Sequence, residues 1–591
     1  MCGIFCAISH NKDDANCHLH QALATLLHNR GPDANDKLQI DNVLLAGNVL
    51  WQQGAAPQKQ PISDGHLVLL FNGDLYNLDA QKPAAQADSA WLLKQLVKCN
   101  DDDKRLLTLL QHLEGPYCLI LYNSRDKVLY FCRDALGRNS LIVESSMECL
   151  RLMSTSYHLD KEEGQVTMTS LELPPLGLYK LHVNESSKCV LYPWQQLNKE
   201  MQQQLTKLDA AMDWCTFLKQ SIEPNWLLNG GEGAEQEQKS YDLYDLAKDA
   251  PKLQMELQLE QLYKQSLENA PLQQALGTLD KLLQRSVATR VTQTAPICRH
   301  CVGRSVASCS HAKICILFSG GIDCSILALL ADRSVPHAEP IELINVAFER
   351  VGRKQQQPQQ VDNLWQVPDR QTAWQSLAEL QRLCPQRNWQ LLEVNVSREE
   401  LHQQLSDHIR QLIYPLQTVL DECLGGAFWF AAATPNSTAR VAILGSGADE
   451  LFGGYTRHRN AYRRAVGDQQ TRLDALRHEL DMDWQRIPAR NLARDDRCIA
   501  DSGKTARAPF IEEHVASFVR SLAPEQRCCY ALPEGIGDKL LLRLYGHRLG
   551  LRSAALLKKR AIQFGSRIAD KKQQATQQSD YLLFNGIDSN S

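Results

Sequence analysis

The chain has 591 residues, 43% of them hydrophobic and 22% charged. That composition excludes a wholly disordered protein, and the length suits two or three large domains or about four of ordinary size. Lysine and arginine number 64 against 68 acidic residues, a net charge of −4, which argues against nucleic acid as a main partner because phosphate binding needs a basic surface. No run of about 18 apolar residues occurs, so no membrane span is expected. The 19 cysteines are odd in number. The opening Met1-Cys2-Gly3-Ile4-Phe5-Cys6 lacks the basic and long apolar regions of a secretory signal, so free thiols in a reducing, cytoplasmic compartment are expected.

Residues 2–185 read as β-rich. Apolar runs of strand length, such as Leu67–Phe71 and Tyr117–Tyr122, are bounded by the turn dipeptides Asp64-Gly65, Asn72-Gly73 and Asn123-Ser124. Helical spacing occupies Leu19–Asn29 and Asp88–Cys99. Residues 186–290 are rich in Gln, Glu, Leu and Lys and read as a helical connector, broken by Gly230-Gly231-Glu232-Gly233. A Gln-rich stretch, Lys354–Gln360, reads as a surface loop. From 291 to 570 the pattern is α/β: strand candidates Ile314–Phe318, Leu343–Phe348 and Val441–Leu444 alternate with helices, which predicts a doubly wound parallel sheet. Residues 571–591 read as a frayed polar tail.

Cys2 follows the initiator methionine. With Met1 removed it would carry a thiol and a free α-amine of pKa about 7.7–8.0, nucleophile and base on one residue. Position alone does not separate this from an ordinary cysteine. In Phe71-Asn72-Gly73-Asp74 the Asn72 amide and the Gly73 N–H could face a developing oxyanion, or the pair could be a plain hairpin turn. Asp88-Ser89 could hold a substrate ammonium.

Met-Cys-Gly-Ile, Arg30-Gly31-Pro32-Asp33, Asn72-Gly73-Asp74-Leu75-Tyr76-Asn77 and Arg133-Asp134-Ala135-Leu136-Gly137-Arg138 occur in this order. Together they resemble class-II glutamine amidotransferases. The resemblance implies a four-layer αββα N-terminal-nucleophile sandwich that hydrolyses glutamine. It makes Cys2 the nucleophile, Asn72 and Gly73 the oxyanion hole, and Asp88 the grip on the glutamine amine. One departure stands out: in Ala46-Gly47-Asn48-Val49-Leu50, Val49 replaces the arginine with which the family clamps the glutamine carboxylate. A lost charge-assisted clamp is worth about 2–5 kcal/mol.

Ser319-Gly320-Gly321-Ile322-Asp323-Cys324-Ser325 follows a strand and opens a helix. Glycines let backbone amides converge on an anion and the helix dipole favours it. Ser319 and Ser325 offer hydroxyls, and Asp323 a hard oxygen for Mg²⁺. A Gly-Gly turn there can also be plain punctuation. A second loop, Gly445-Ser446-Gly447-Ala448-Asp449-Glu450, also follows a strand, and loops at the carboxyl ends of neighbouring parallel strands share one crevice. Asp323 and Asp449 could then hold the same metal.

These loops, with Gly503–Pro509, Gly537–Arg543 and Lys558–Phe564, resemble the synthetase domain of asparagine synthetases, of the ATP-pyrophosphatase superfamily. The resemblance implies that ATP and Mg²⁺ activate a carboxylate as its adenylate, which ammonia then attacks, with Lys539 neutralising phosphate charge. Ser446 stands where the family carries a glutamate, and Cys324 where it carries a serine. The long connector, the Gly-x-Gly-Ala-Asp-Glu loop and the ending Lys559–Ala569 are most similar to the asparagine synthetase domain-containing branch.

Glutamine, aspartate and ATP are the expected small-molecule partners, with no nucleic acid or membrane. The implied reaction is glutamine-dependent synthesis of asparagine. The alternatives are an impaired scaffold or regulatory homologue, or an adenylating ligase with a different acceptor. Separately, Cys298, Cys301, Cys309 and His311 have the donor types of a zinc site, but their spacing is irregular and chance proximity in a cysteine-rich chain is the more ordinary reading.

Overall fold

The computed structural model describes residues 1–9, 19–78, 82–99, 102–146, 149–158, 169–183, 188–212, 216–217, 241–248, 254–304, 306–350, 364–569 and 574–584. The glycine break at 230–233 and the Gln-rich stretch at 354–360 lie outside them.

Strand β1 (Gly3–Ser9) shows how the first half is layered. Ile4, Cys6 and Ile8 face one apolar cluster, while Phe5 and Ala7 face another. Successive side chains on a strand point to opposite faces, so a strand buried on both belongs to an interior sheet. Strands β2 (Ala34–Ile40), β3 (Val43–Val49), β4 (Ile62–Asp64), β5 (Leu67–Gly73), β6 (Tyr117–Asn123), β7 (Val128–Arg133), β8 (Ile142–Ser145), β9 (Cys149–Met153), β10 (Thr169–Glu172), β11 (Gly177–His182), β12 (Lys188–Pro193) and β13 (Thr216–Phe217) complete two sheets. Their orders are β10-β8-β9-β1-β3-β2 and β13-β12-β11-β7-β6-β5-β4. Val68 and Leu70 of β5 meet Ile4 and Cys6 between the sheets. Helix α1 (Gln21–Arg30) covers the outer face of the first sheet through Leu23 and Leu27. Helices α2 (Asp88–Lys98) and α3 (Asp103–Gln111) cover the second, against Leu67, Leu69 and Phe71. The result is the expected αββα sandwich.

Pairing does not stop at residue 185. Strand β12 pairs with β11, and α4 (Lys199–Ala211) buries Leu208 in the inter-sheet core. After α5 (Leu243–Lys248), helices α6 (Met255–Glu268) and α7 (Ala270–Thr292) place Leu259, Leu262, Leu276, Leu279 and Leu283 in one core with Ile314 and Ile316. The stretch read as a connector is thus divided between the two cores, because its helices carry apolar faces that must be buried.

The second half is built on five parallel strands: β14 (Ile314–Leu317), β15 (Ile341–Phe348), β16 (Trp389–Val396), β17 (Val441–Ile443) and β18 (Thr505–Arg507). Helices α8 (Ile322–Asp332) and α9 (Pro368–Leu383) contribute to the core on one face, and the helix Val419–Ala433 to the core on the other, which makes the sheet doubly wound. Its order, β16-β15-β14-β17-β18, reverses direction between β14 and β17. Ligands of such sheets bind at that switch point, outside the carboxyl ends of the strands.

The tail departs from expectation over 574–584. The N–H of Val419 donates to Gln577 O at 2.9 Å, and that of Leu420 to Ala575 O at 3.1 Å. These are first-turn amides with no partner inside their own helix, and the tail supplies one for each. Leu582 and Phe584 are buried and anchor it. Among the described residues no helix is long and apolar enough to cross a membrane.

Candidate active sites

Cys2 enters β1 from the seam between the halves. Its backbone N–H donates to Asn72 Oδ1 at 2.6 Å. Asn72 is fully buried, and its Nδ2 lies 3.6 Å from Cys118 Sγ. Glycine is required at 73, where a Cβ would sit 2.4 Å from Pro116 O. Gln60 stands beside the thiol, Nε2 3.9 Å from Cys2 Sγ, its amide locked by donation to Phe71 O and acceptance from Phe71 N–H. Burial pushes the Cys2 thiol up, although the nearby ammonium of Met1 opposes it. That ammonium donates to Thr505 Oγ1 at 2.8 Å. With Met1 in place the free amine therefore belongs to the seam, and the base expected on Cys2 exists only in a chain without Met1.

Asp88, in the first turn of α2, accepts the Leu75 N–H at 2.9 Å and pairs with Lys82 Nζ at 2.9 Å. Lys82 also donates to Gln53 Oε1 and Gln86 O. Burial lifts the Asp88 carboxyl to about 6 even against the lysine charge. The cation on this carboxylate is thus an internal one. Val49 is buried and lines the same space, about 50 Å³ in volume, room for a few waters. Lys82 and Gln60 belong to no motif, so no local signal pointed to them.

The second site lies at the switch point. Gly320 has φ +79°, and a Cβ there would lie 2.3 Å from Thr372 O of α9, so turn and close approach both demand glycine. Asp323 follows in the first turn of α8. The loops after β14 and β17 touch, since a Cβ on Gly445 would lie 3.1 Å from that of Asp323. Lys539 Nζ sits 2.6 Å from Asp323 Oδ2 and 2.6 Å from Asp449 Oδ1, and Lys559 Nζ 2.5 Å from Asp449 Oδ2. Burial would raise Asp449, but the two lysines hold it far below the usual carboxylate range. Burial would lower Lys539, but the two aspartates raise it. Asp323 Oδ1 is buried with no hydrogen-bond partner, an acceptor left over for a ligand. Ser325, expected to reach the same anion, is fully buried and donates to Gly320 O at 3.4 Å; it holds the loop.

Ser319, Gly321, Asp323 and Asp449 line a cavity of about 600 Å³. Ser446 lines it too, and so does a carboxyl from the next turn. Glu450 accepts from Tyr455 Oη at 2.8 Å and Asn491 Nδ2 at 3.2 Å, and burial and the Asp449 charge lift it to about 7. Asp369 at the start of α9 is also lifted to about 7 by burial, against the charges of Lys559 and Arg560. Glu450 was visible as the neighbour of Asp449. Asp369 stands in no motif and reaches the cavity only through the sheet topology.

The helix Ala493–Ala500 forms the wall between the sites. Asp495 lines the cavity. The next residue, Asp496, pairs with Arg30 at 3.0 Å, both side chains 1% exposed, and Arg30 Nε donates to Cys2 O at 3.3 Å. Further buried pairs cross the seam: Asp74–Arg507 at 2.9 Å, Glu172–Arg497 at 2.5 Å and Asp33–Arg440.

Residues 1–209 match the family model of a glutamine amidotransferase domain, and 298–470 that of asparagine synthase. The chain is 51% identical to the asparagine synthetase domain-containing protein CG17486 of Drosophila melanogaster, over 98% of this chain and all of that one. It is 33% identical to asparagine synthetase domain-containing protein 1 of Mus musculus, over 98% of this chain and 99% of that one. A counterpart of Saccharomyces cerevisiae is 25% identical over 94% and 89% of the two chains. The αββα sandwich with Cys2 at its edge and the parallel sheet with two acidic loops at its switch point fit these matches, and the chain belongs to the asparagine synthetase domain-containing family.

Proposed function

We propose that the second half is an ATP-dependent ligase that joins ammonia to a carboxylate, with aspartate as the acid and asparagine as the product. One observation carries this reading: at the switch point, two carboxylates from two loops face each other across Lys539, with Lys559 behind and a cavity of about 600 Å³ in front. Asp323 and Asp449 would hold Mg²⁺, a hard cation that takes carboxylate oxygens and neutralises phosphate charge when bound. The Gly321 backbone, the Ser319 hydroxyl and Lys539 would position the phosphates for in-line attack by the aspartate side-chain carboxylate, which displaces pyrophosphate. Ammonia would then attack the acyl carbon of the adenylate, AMP leaving with the bonding pair. Glu450, poised near 7 by its surroundings, would take a proton from the attacking nitrogen.

The source of the ammonia follows from the first pocket. In the primary reading, Cys2, exposed as the N-terminus, hydrolyses glutamine and passes ammonia along the wall of Asp495 and Asp496. The Lys82–Asp88 pair favours a second reading, in which free ammonia is the donor. Pyrophosphate release and asparagine formation, measured with aspartate plus glutamine, aspartate plus ammonium, and aspartate alone, separate the two. Activity with glutamine that is lost in Cys2→Ala supports the first, and activity with ammonium alone supports the second. No release under any condition, with ATP bound, overturns the aspartate reading and leaves a scaffold or a ligase of another acid.

A further inference from the structure

The segment between α7 and β14 gathers three thiols and an imidazole, irregular in spacing but close in space. The donor atoms of Cys298, Cys301, Cys309 and His311 all lie within 4.8 Å of one another. We propose that these four residues hold one structural zinc ion at the seam between the two halves.

The distances fit a tetrahedral metal site. His311 Nδ1 lies 3.5 Å from Cys298 Sγ and 3.4 Å from Cys301 Sγ. A tetrahedral zinc with Zn–S of about 2.3 Å and Zn–N of about 2.0–2.1 Å sets sulfur and nitrogen about 3.6 Å apart. The backbone forms two successive turns, Cys301 N–H to Cys298 O and Arg304 N–H to Cys301 O, both at 3.1 Å. These put the first two sulfurs on one side. The Cys298 N–H then donates to Cys309 Sγ at 3.1 Å, which draws the second pair back over the first and makes up for the irregular spacing. Apolar packing explains the burial of Cys298 and Cys301, but it gives no reason for the ring nitrogen of the exposed His311 to turn toward two sulfurs. Three thiolates and one imidazole suit zinc among common divalent ions, and four protein ligands fill a tetrahedron, which makes the site structural rather than catalytic.

Its position says what it would hold. Cys298, Cys301 and Cys309 cluster with Trp51, whose backbone N–H donates to Asp33 Oδ2 at 2.7 Å and which lines the Cys2 pocket. From the other side, the Arg299 N–H donates to Thr438 O, and its guanidinium to Ser502 O. The loop thus bridges the two sheets, and zinc would set its shape. Binding would release the thiol protons.

The test is metal analysis of the full-length, tag-free chain purified without chelator. One equivalent of zinc per chain is expected, and exchange with cobalt(II) should give the absorption of a tetrahedral thiolate site. Cys298→Ser with Cys301→Ser should abolish both. Because those buried changes risk the fold, His311→Ala is the second variant: circular dichroism unchanged, with zinc lost to a chelator at least about tenfold faster. A zinc-free chain that takes up no cobalt after thiol reduction overturns the proposal. So does a Cys298–Cys301 disulfide in the native chain, or zinc retained when all four residues are replaced.

Discussion

The two candidate sites differ in what stands opposite their charged groups. In the Cys2 pocket, Asp88 already holds an internal cation, Lys82, in a space of about 50 Å³. In the synthetase cavity, the lysines leave Asp323 Oδ1 without a partner beside a volume of about 600 Å³. Both sites carry their motif residues. Buried ion pairs occupy both; what separates them is that Asp323 keeps one unfilled acceptor beside a large cavity. A motif specifies the donors and acceptors of a site; the neighbours decide whether those groups are available.

The largest effect should come from Lys539→Met. It removes the charge between Asp323 and Asp449, and pyrophosphate release should fall by about 10²–10³-fold. Denaturant unfolding should register a loss of about 3–5 kcal/mol, because breaking a buried pair strands a charge. Lys539→Arg should recover most of the stability. An unchanged rate in the methionine variant would end the claim that this site is the working one.

Next comes pH. The carboxyl of Asp88 lies at about 6, above its ordinary value of 3.8, so the folded chain binds this proton more tightly than the unfolded one. Its contribution to stability is therefore greatest below about 4 and is lost as pH rises through about 6, a swing of about 2–3 kcal/mol. Asp88→Asn should remove that swing from unfolding curves taken at pH 4.5 and 7. Identical pH dependence in the two proteins would mean that Asp88 is solvated and the pocket open.

Gly320→Ala should cost about 1–3 kcal/mol, since the new methyl meets Thr372 O in a left-handed turn. A raised KM for ATP should accompany the lower melting temperature. The smallest effect sharpens the comparison most. Lys82→Ala leaves the place beside Asp88 to a substrate ammonium but also lets burial lift the carboxyl further, so the ratio of glutamine-driven to ammonium-driven product should rise about tenfold, one pKa unit of interaction, in assays run well above that carboxyl's titration. A falling ratio would make Lys82 a working part of the glutamine site.

The same division runs between what was legible in the sequence and what was not. The strand-length runs at 67–71 and 117–122 became β5 and β6, and the alternation of strand and helix after 313 became the doubly wound sheet. Asp323 and Asp449 were legible because each sits a fixed few residues beyond a strand, and parallel strands deliver such loops to one place. Cys2, Asn72 and Asp88 were legible for a similar reason, as parts of contiguous motifs. Lys82 and Gln60 were not, since they act on those residues from segments with no pattern of their own. Nor was the docked tail, because a polar stretch gives no sign that its carbonyls will meet the first turn of the helix Val419–Ala433.

The sequence by itself determined the two folds, their order and the candidate groups of each site, because strand periodicity, turn glycines and loop motifs act over a few residues. Only the tertiary structure decided that Lys82 closes on Asp88, that Arg30 joins Cys2 to Asp496, and that Cys298, Cys301, Cys309 and His311 converge. The two ion pairs depend on which side chains share a buried, low-dielectric space, and there partner and distance set the energy of a charge far more than its own identity does.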